Sequence, residues 1–348
     1  MVKKIVVLAG DGIGSEIMES ALTILKAANR NDEYDFQFSA HAFGGSAIDL
    51  TGQPLPDETL QACQQADAIL LGAIGGKKWE HAVQTPEAGL LALRKALNLY
   101  ANIRPVKVSD ALLDYSPIKR EIVQGTDLVV VRELTSGIYF GQPRELADDF
   151  AYDTNRYHEK EIRRIMHQAF QIARSRRKQV LSVDKANVLA TSKLWRKIAN
   201  EIAKEYPDCT LQHQYVDSAA MKIIQQPTSF DVIVTENLFG DILSDEASVL
   251  PGTLGVLPSA SHSENGPSLY EPIHGSAPDI AGKNIANPVS MILSVVLMLR
   301  QSFGYYDLAD KIEQACFATM ESGVLTPDLN GTATTSAFTQ AVIAKLER

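Results

Sequence analysis

Two carboxylates that share one helical face raise the first question of chemistry. In the stretch ENLFGDILSDEAS, Asp241 and Asp245 lie four residues apart, with Glu246 beside them. Side chains at i and i+4 of a helix are neighbours, so these like charges repel by roughly 0.2–0.5 kcal/mol unless a cation offsets them. A solvated helix face is the ordinary explanation. The alternative is a metal site, because Mg²⁺ and Mn²⁺ prefer hard oxygen ligands.

Three further polar residues are candidates for the same chemistry. Asp217, in YVDSAAM, follows a strand-like run and is a third candidate oxygen ligand. Lys185 interrupts the apolar stretch VLSVDKANVL, where a partly desolvated lysine could accept a proton or could simply extend to water. Tyr139 could donate a proton or only pack its ring. No His/Cys set has the spacing of a zinc site.

Three arginines stand where strands are predicted to end or loops to begin. They are Arg94 in LLALRKALNLYANIRP, Arg104 before a proline, and Arg132 directly after DLVVV. Ligands of α/β proteins bind at the carboxyl edge of the sheet, and guanidinium groups bind carboxylates through two hydrogen bonds. Each arginine alone is more often part of a surface ion pair. Together they suit a di- or tricarboxylate.

A glycine-rich turn follows the first predicted strand. In AGDGIG the glycines at 10, 12 and 14 run G-x-G-x-G, and Ser15 stands where the dinucleotide-binding fingerprint requires a third glycine. The Rossmann spacing therefore fails. The pattern still predicts a tight strand-to-helix turn whose backbone N–H groups could contact a ligand.

The elements that must position these residues follow an α/β pattern. Short β-rich runs alternate with helical patterns, which indicates a largely parallel sheet. Apolar stripes in EIRRIMHQAFQIARSR and LWRKIANEIAKEY predict helices that pack in a core or an interface. The segment GIYFGQPRELADDFAYD differs from its neighbours and predicts an arm or hairpin. The candidate strands are KIVVLAG, ADAILLGAIGG, TDLVVVREL, KQVLSVDKANV and FDVIVTENLFG.

Composition limits the class of protein. A chain of 348 residues, 45% hydrophobic, is long enough for two lobes. Its longest apolar run, MILSVVLML, is too short for a membrane span and predicts a buried helix in the core or at a subunit contact. The net charge of −9 argues against nucleic acid or an anionic membrane as partner. The basic cluster RSRRK ends a helical pattern, where cations complement the helix dipole. Three widely spaced cysteines fit a reducing cytoplasm.

Seven separated motifs together resemble one family along nearly the whole chain. The sequence is similar to the isocitrate/isopropylmalate dehydrogenases, a family of β-decarboxylating dehydrogenases. The resemblance implies a two-lobed α/β fold with an NAD site that is not a Rossmann site, and an arm that joins two subunits in a homodimer. It implies a large cofactor-binding domain at residues 1–99 and 252–348, and a smaller substrate, metal and dimerisation domain at 100–251. The motifs are GDGIG, LLALRKALNLYANIRP, VRELTSGIYFGQPRE, DKANVL, NLFGDILSDEAS, LPSAS and YEPIHGSAPDIAGKNIANP.

The resemblance also implies roles for the candidate residues. Asp241 and Asp245 of one subunit would hold Mg²⁺ or Mn²⁺ together with Asp217 of the other, so the active site would be shared. Tyr139 would be the acid and Lys185, from the second subunit, the base. The arginines that would bind the substrate carboxylates are Arg94, Arg104 and Arg132.

The cofactor implied by the resemblance is NAD. The carboxylate of Asp279 could accept hydrogen bonds from a free ribose 2′-hydroxyl and would repel a 2′-phosphate, so NAD is favoured over NADP. Relatives that use NADP carry lysine and tyrosine where this chain has Asp279 and Ile280. Residues Gly76 to Glu87 and Asn187 would face the nicotinamide. The residues that would line the adenosine half are His274, Gly275, Ser276, Ala277 and Asn287, with Ile13 nearby.

The implied substrate is a 2-hydroxy dicarboxylate with a branched alkyl group. Leu90 and Leu91, completed by Val188 of the second subunit, would bury an isopropyl group and contribute about 2 kcal/mol. 3-Isopropylmalate, an intermediate of leucine biosynthesis, fits this pocket better than isocitrate with its third carboxylate. Ser15 and Lys77 stand where the family usually has proline.

Other functions stay open on sequence alone. A sister enzyme for isocitrate, homoisocitrate or tartrate would use the same groups. A non-catalytic regulatory subunit would not need the full catalytic set, and a metal-dependent lyase would not need the segment around Asp279. These alternatives differ in which acid is turned over and in whether NAD is required.

Overall fold

Strands and helices alternate along the chain, so the predicted α/β class is confirmed. The structure is a computed structural model, and it describes residues 2–31, 33–81 and 83–347. The strands, in chain order, are β1 (Lys3–Gly10), β2 (Phe36–Ala40), β3 (Ala68–Ala73), β4 (Leu99–Lys107), β5 (Asp127–Glu133), β6 (Glu145–Leu146), β7 (Ala151–Tyr152), β8 (Gln179–Asp184), β9 (Thr210–Tyr215), β10 (Val232–Thr235), β11 (Pro258–Ser263) and β12 (Ser268–Pro272). The helices are α1 (Gly14–Ala28), α2 (Gly45–Thr51), α3 (Asp57–Gln64), α4 (Pro86–Ala96), α5 (Arg120–Val123), α6 (Glu159–Arg174), α7 (Ala190–Ala203), α8 (Val216–Gln225), α9 (Asn237–Ala247), α10 (Val289–Met298), α11 (Tyr306–Glu321) and α12 (Thr335–Leu346).

The chain divides into two compact units. Unit 1 comprises Met1–Leu99 and Thr253–Arg348, and unit 2 comprises Tyr100–Gly252. The second limit falls after Gly252, whereas the sequence analysis places it one residue earlier. The cofactor and substrate roles assigned to the two domains stay predictions.

The sheet of unit 1 places several loops at one edge. Its strand order is β2-β1-β3-β12-β11, with β1 parallel to β2 and β3, and β3 parallel to β12. Strand β11 is antiparallel to β12. Strand β3 is buried along its whole length, as expected of parallel strands that are covered on both faces. The loops that follow β1, β3 and β12 therefore leave the same edge of the sheet.

Helices α1, α10, α11 and α12 pack against one another in unit 1. Helix α10 contains most of the run MILSVVLML and is buried nearly throughout, which confirms the predicted core helix. Helix α4 begins with Pro86 after Thr85, whose side chain accepts the N–H of Ala88 at 3.3 Å. Leu93 of α4, and Leu97 directly after it, are buried in the core beside β1 and β3. This packing buries one face of α4 and leaves the opposite face exposed.

The sheet of unit 2 has the order β4-β5-β10-β8-β9. Strands β5, β10, β8 and β9 are parallel, whereas β4 is antiparallel to β5. Helices α6 and α7 pack together, and α9 packs against β5. The apolar stripe predicted for α6 is confirmed as core. Its members are Ile162, Ile165, Met166, Ala169, Phe170 and Ala173.

The basic cluster RSRRK is engaged in ion pairs within unit 2. Helix α6 ends at Arg174, as predicted, and that side chain contacts Asp208 at 2.8 Å. Arg176 donates to Asp231 at 2.7 Å and to Asp127 at 2.8 Å. The cluster ties the end of α6 to the sheet of its own unit.

The unusual segment after Tyr139 contains a hairpin, as predicted. Strands β6 and β7 pair antiparallel, and the large side chains around their turn are exposed: Leu146 by 88%, Phe150 by 52% and Tyr152 by 42%. Whether the hairpin packs on a second subunit stays a prediction. None of the described helices has the length and apolar content that a membrane crossing requires. Each of the three cysteines is described, and none forms a disulfide.

Candidate active site

Helix α9 presents its two aspartates to arginines of unit 2. Arg132, near the end of β5, donates from Nη1 to Oδ1 of Asp241. Arg104, in β4, donates from Nη1 to Oδ1 of Asp245 at 2.6 Å and to Oγ of Ser244 at 2.8 Å. The repulsion expected between the two carboxylates is therefore offset within the chain by two guanidinium groups.

The Arg132 side chain is held in place by the first turns of α9. Only 8% of it is exposed, and its Nε donates to Oδ1 of Asn237 at 3.0 Å. A Cβ on Gly240 would lie 2.6 Å from Cγ of Arg132, so glycine is required for the arginine to pass over this helix. The guanidinium is thus aimed by packing and by a hydrogen bond.

Tyr139 completes the cluster around Asp241. Its hydroxyl donates to Oδ2 of Asp241 at 2.7 Å, and the Arg132 guanidinium lies 5.6 Å from the centre of its ring. Burial, and then the hydrogen bond to Asp241, raises the pKa of Tyr139 above its ordinary value. The phenol therefore keeps its proton at neutral pH, as an acid must.

A buried carboxylate fixes the loop that leads to Tyr139. Glu133 is fully buried and accepts the N–H groups of Thr135 at 3.0 Å and Ser136 at 2.9 Å, and the Thr135 hydroxyl at 2.6 Å. Arg164 pairs with the same carboxylate. Asn237 donates from Nδ2 to the Ser136 carbonyl at 3.1 Å. One network thus orients both the loop and the Arg132 guanidinium.

Lys185 and Asp217 form a separate pair in unit 2. Lys185 follows β8 directly, and its Nζ donates to Oδ1 of Asp217 at 2.6 Å. Asp217 lies in the first turn of α8, just past the strand end that the sequence predicts. The hydrogen bond from Lys185 lowers the pKa of Asp217. Asn187 and Val188 are exposed in the turn after Lys185.

The three predicted metal ligands do not meet within one chain. Among residues 2–31, 33–81 and 83–347, no group of three His, Cys, Asp or Glu side chains could hold a metal ion. The predicted set takes Asp217 from a second subunit.

Helix α4 carries the predicted substrate residues of unit 1. Arg94 lies in its last turn and donates from Nη2 to Oε1 of Glu271 in β12 at 2.8 Å, while its buried Nε has no partner among the described residues. Leu90 packs against the core, whereas Leu91 is 50% exposed. Glu87 lies in the first turn, beside Gly75.

The loop after β12 contains most of the predicted cofactor residues. The Nε2 atom of His274 is buried and has no partner in the described part of the chain, and burial lowers the pKa of this histidine. Ser276 is buried, whereas Gly275 and Asp279 are exposed and Ala277 and Ile280 are half-buried. Asn287 already donates to Asp328 at 2.9 Å and accepts the N–H of Val289 at 3.0 Å.

Ser15 and Lys77, which replace prolines of the family pattern, both stand in first turns. Ser15 is the second residue of α1, and Lys77 begins a short 3₁₀ turn that runs to Trp79. Both are exposed. Backbone N–H groups of a first turn have no partner inside the helix, so the missing N–H of proline costs no hydrogen bond there. The only effect of proline at such a position is to fix φ. Serine and lysine therefore fit these positions.

Gly76 directly precedes the 3₁₀ turn, and Ala82 of the predicted Gly76-to-Glu87 stretch lies outside the described residues.

Comparison with known families identifies the family of this chain. The family model described as isocitrate/isopropylmalate dehydrogenase matches residues 4–342. The chain belongs to the isocitrate/isopropylmalate dehydrogenase family. The predicted resemblance is therefore confirmed.

Curated relatives of this dehydrogenase family cover the full chain. A 3-isopropylmalate dehydrogenase of Listeria innocua is 62% identical over 347 residues, which is 100% of this chain and 99% of the relative. A 3-isopropylmalate dehydrogenase of Streptococcus mutans is 63% identical over 344 residues, 99% of this chain and 100% of the relative. Among solved structures, isocitrate dehydrogenase from Methylococcus capsulatus matches with a TM-score of 0.86 and 36% identity, over 99% of this chain and 100% of that one.

The predicted positions of two arginines in this dehydrogenase are wrong. Arg94 lies inside a helix rather than at a strand end, because Leu93 and Leu97 continue the buried face of α4. Arg104 lies within β4, since the strand runs on through Pro105, which pairs with Val129 of β5. Arg132 alone lies near the end of its strand.

Three polar residues of the site were missed on sequence alone. Asn237 and Glu133 orient Arg132 and its loop, and Glu271 pairs with Arg94. Strand alternation gives one usable signal: Glu133, next to Arg132 in β5, must face the other side of the sheet and needs a buried partner there. The remaining contacts join distant parts of the chain and leave no local pattern.

Proposed function

We propose that the chain oxidises and decarboxylates 3-isopropylmalate to 4-methyl-2-oxopentanoate with NAD and Mg²⁺ or Mn²⁺, as a cytoplasmic enzyme of leucine biosynthesis. The full-length relatives named 3-isopropylmalate dehydrogenase support this function. The single structural observation that carries it is the cluster of Arg132, Asp241 and Tyr139, where a cation, a carboxylate and a protonated phenol meet.

The substrate carboxylates are bound by guanidinium groups. Arg104 and Arg132 of unit 2 and Arg94 of unit 1 each present several N–H donors in a planar fork. Arg94 retains a buried Nε without a partner among the described residues, which is a donor available to a ligand oxygen. Two carboxylates and a hydroxyl are the polar groups that such donors fit.

The carboxylates of α9 fit a divalent cation. Asp241 and Asp245 share one face, and 35% and 71% of their side chains are exposed, so hard oxygen donors can be reached from solvent. These two residues would hold the metal with Asp217 of a second subunit. When bound, the metal polarises the substrate oxygens, and NAD accepts the hydride.

Proton transfers are assigned to two residues of unit 2. Lys185 of the second subunit, held at 2.6 Å by Asp217 of the same chain, takes the proton of the substrate hydroxyl, directly or through water. After carbon dioxide has left, Tyr139 delivers its proton to the enol carbon. Asp241, which accepts the hydrogen bond of the Tyr139 hydroxyl, keeps that group oriented.

The loops of unit 1 fit the adenosine half of NAD. The buried Nε2 of His274 lacks a partner among the described residues, and the Asp279 carboxylate nearby in sequence is exposed. The first observation indicates that a polar atom of a ligand satisfies the histidine. The second supplies an acceptor for a ribose hydroxyl.

The double change Asp279→Lys with Ile280→Tyr is expected to shift the kcat/KM ratio toward NADP by at least about tenfold, because a lysine attracts the 2′-phosphate that an aspartate repels. Steady-state kinetics with both cofactors measure it. Glu321→Lys, the same charge change at the exposed end of α11, should leave the ratio unchanged. An unaltered ratio in the double variant would remove Asp279 from the ribose site.

Leu91→Glu is expected to raise KM for 3-isopropylmalate about tenfold, since a carboxylate beside the alkyl group stays poorly solvated. Leu91 is a better target than Leu90, because Leu90 packs on the core and its loss would also weaken the fold. Leu50→Glu, at a leucine that is 75% exposed in α2, is the matched control. Equal KM values in all three proteins would mean that the alkyl pocket lies elsewhere.

A homodimer is supported by exposed apolar side chains of unit 2. Besides the hairpin, they lie on or just after α8 and α9, close in sequence to the proposed metal ligands. Large apolar patches mark protein interfaces, and these side chains are the candidates for such a patch. They are Leu146, Phe150, Tyr152, Met221, Ile242 and Val249.

The proposed function is tested by NADH formation. Purified protein is incubated with NAD, Mn²⁺ and one of four acids: 3-isopropylmalate, isocitrate, homoisocitrate or tartrate, with and without a chelator. We expect fast, chelator-sensitive turnover of 3-isopropylmalate alone. Turnover of another acid would support the proposed reaction but replace 3-isopropylmalate as its substrate. Carbon dioxide release without NAD would indicate a lyase, and inactivity on all four acids would favour a regulatory subunit.

A further inference from the structure

Asp11, in the glycine-rich turn after β1, is a buried carboxylate that the proposed chemistry does not use. Only 4% of it is exposed. Its Oδ2 accepts the N–H of Gly45 at 2.8 Å and of Gly75 at 2.9 Å, and its Oδ1 accepts the N–H of Ser46 at 2.7 Å. Asp11 therefore caps the first turn of α2 from another loop and binds the loop after β3 with the same group.

Ser276 joins the loop after β12 to the same arrangement. Its hydroxyl donates to the carbonyl of Gly75 at 2.8 Å, and its own carbonyl accepts the N–H of Ile13 at 2.9 Å. A Cβ on Gly12 would lie 2.0 Å from that carbonyl, so the two loops approach as closely as backbones can. The segments after β1, β2, β3 and β12 are thus tied into one set of loops.

Trp79 packs directly on these loops. A Cβ on Gly45 would lie 2.4 Å from Cε3 of its ring, and a Cβ on Gly76 would lie 3.0 Å from Cζ3. The indole N–H donates to Oδ1 of Asp49 in α2 at 3.1 Å. The environment of the Trp79 ring therefore depends on the positions of the segments that Asp11 binds.

We propose that Asp11 is a positioning residue that presets the loops of the NAD site without touching the cofactor. The proposal rests on the proposed function, because Ile13, Gly76 and Ser276 of these loops are among the residues assigned to NAD. A carboxylate suits this task, since it accepts three N–H groups at once and donates none. Fixed loops bind their ligand without a further cost of ordering.

Asp11→Asn is the test variant. Its amide must direct an NH₂ group at one or more of the three N–H donors, so at least one of the three hydrogen bonds is lost and the loops are held less firmly. If the loops keep their binding geometry in only about one-tenth of the molecules, the apparent Kd for NAD rises about tenfold. We expect KM for NAD to rise by that factor, with KM for the hydroxy acid and kcat at saturating NAD changed less than about twofold.

Two further measurements separate positioning from mere stability. Asp67→Asn is the matched control, because Asp67 accepts the N–H of Lys4 at 2.7 Å, where β1 and β3 begin rather than where they end. A Trp195→Phe background leaves Trp79 as the single tryptophan. In that background Asp11→Asn should shift the Trp79 emission to longer wavelength in the ligand-free protein, whereas Asp67→Asn should not.

The outcomes distinguish the two proposals. A wild-type protein that binds no NAD would refute the proposed function, while the Trp79 emission would still report on Asp11. If Asp11→Asn does not fold, Asp11→Glu keeps the charge, displaces the acceptor oxygens by one methylene, and should raise KM for NAD in the same direction. A folded variant with wild-type emission and wild-type KM for NAD overturns the positioning role. Failure of both variants to fold also overturns it, because Asp11 would then serve the fold alone.

Discussion

Lys185→Met is expected to lower kcat about 10²–10⁴-fold at neutral pH, because methionine cannot accept the hydroxyl proton of the substrate. The substitution keeps an unbranched side chain that is one heavy atom shorter and removes the amine. The ion pair that is lost, between Lys185 and Asp217, is exposed on the aspartate side, where 65% of the side chain meets solvent. Such pairs contribute little to the free energy of unfolding, so the fold should survive.

The measurement is kcat with 3-isopropylmalate, NAD and Mn²⁺ in excess, together with a thermal unfolding curve. Lys193→Met, at an exposed lysine of the neighbouring helix α7, is the matched control and should retain wild-type kcat. Turnover near the wild-type rate in a folded Lys185→Met protein would exclude Lys185 as the base.

Asp241→Asn is expected to lower kcat/KM by at least about 100-fold. Changes in groups that only support a metal ligand already weaken metal binding or activity about 10–100-fold, and Asp241 is assigned as a ligand itself. The fold should be nearly unaffected, because the amide oxygen still accepts from Arg132 and the Tyr139 hydroxyl can turn to accept from the amide. The free energy of unfolding should fall by about 1 kcal/mol.

Titration of activity with Mn²⁺ is the decisive measurement for this variant. The concentration of Mn²⁺ for half-maximal activity should rise together with the loss of kcat/KM. Glu246→Gln changes a carboxylate of the same helix that has no assigned role, and it should behave as wild type. An Asp241→Asn protein with unchanged Mn²⁺ dependence would show that the metal is held elsewhere.

Local pattern was enough to predict the elements whose residues follow a regular spacing. The apolar stripe of α6 and the run that forms α10 follow directly from spacing and composition, and both are buried as expected. The two aspartates of α9 were found in the same way, because a helix places residues four apart on one face.

The partners of those aspartates could not be found by pattern. Arg132 and Asp241 are 109 residues apart in the chain, and Arg104 and Asp245 are 141 apart. Such contacts depend on how β4, β5 and α9 pack, and no local spacing encodes that packing. The family resemblance supplied the roles of these residues, whereas the contacts of Asn237 and Glu133 required the structure.

The pairing of α9 with two arginines also has a consequence for the protein when no metal or substrate is bound. Each of the two aspartates already pairs with a guanidinium of its own chain, so their mutual repulsion is offset without a bound ion. If Asp241 and Asp245 hold the metal as proposed, loss of the ion would stop turnover without unfolding the protein. The enzyme would persist as an intact reserve, and its recovery would be limited by the supply of the ion rather than by synthesis of new chains.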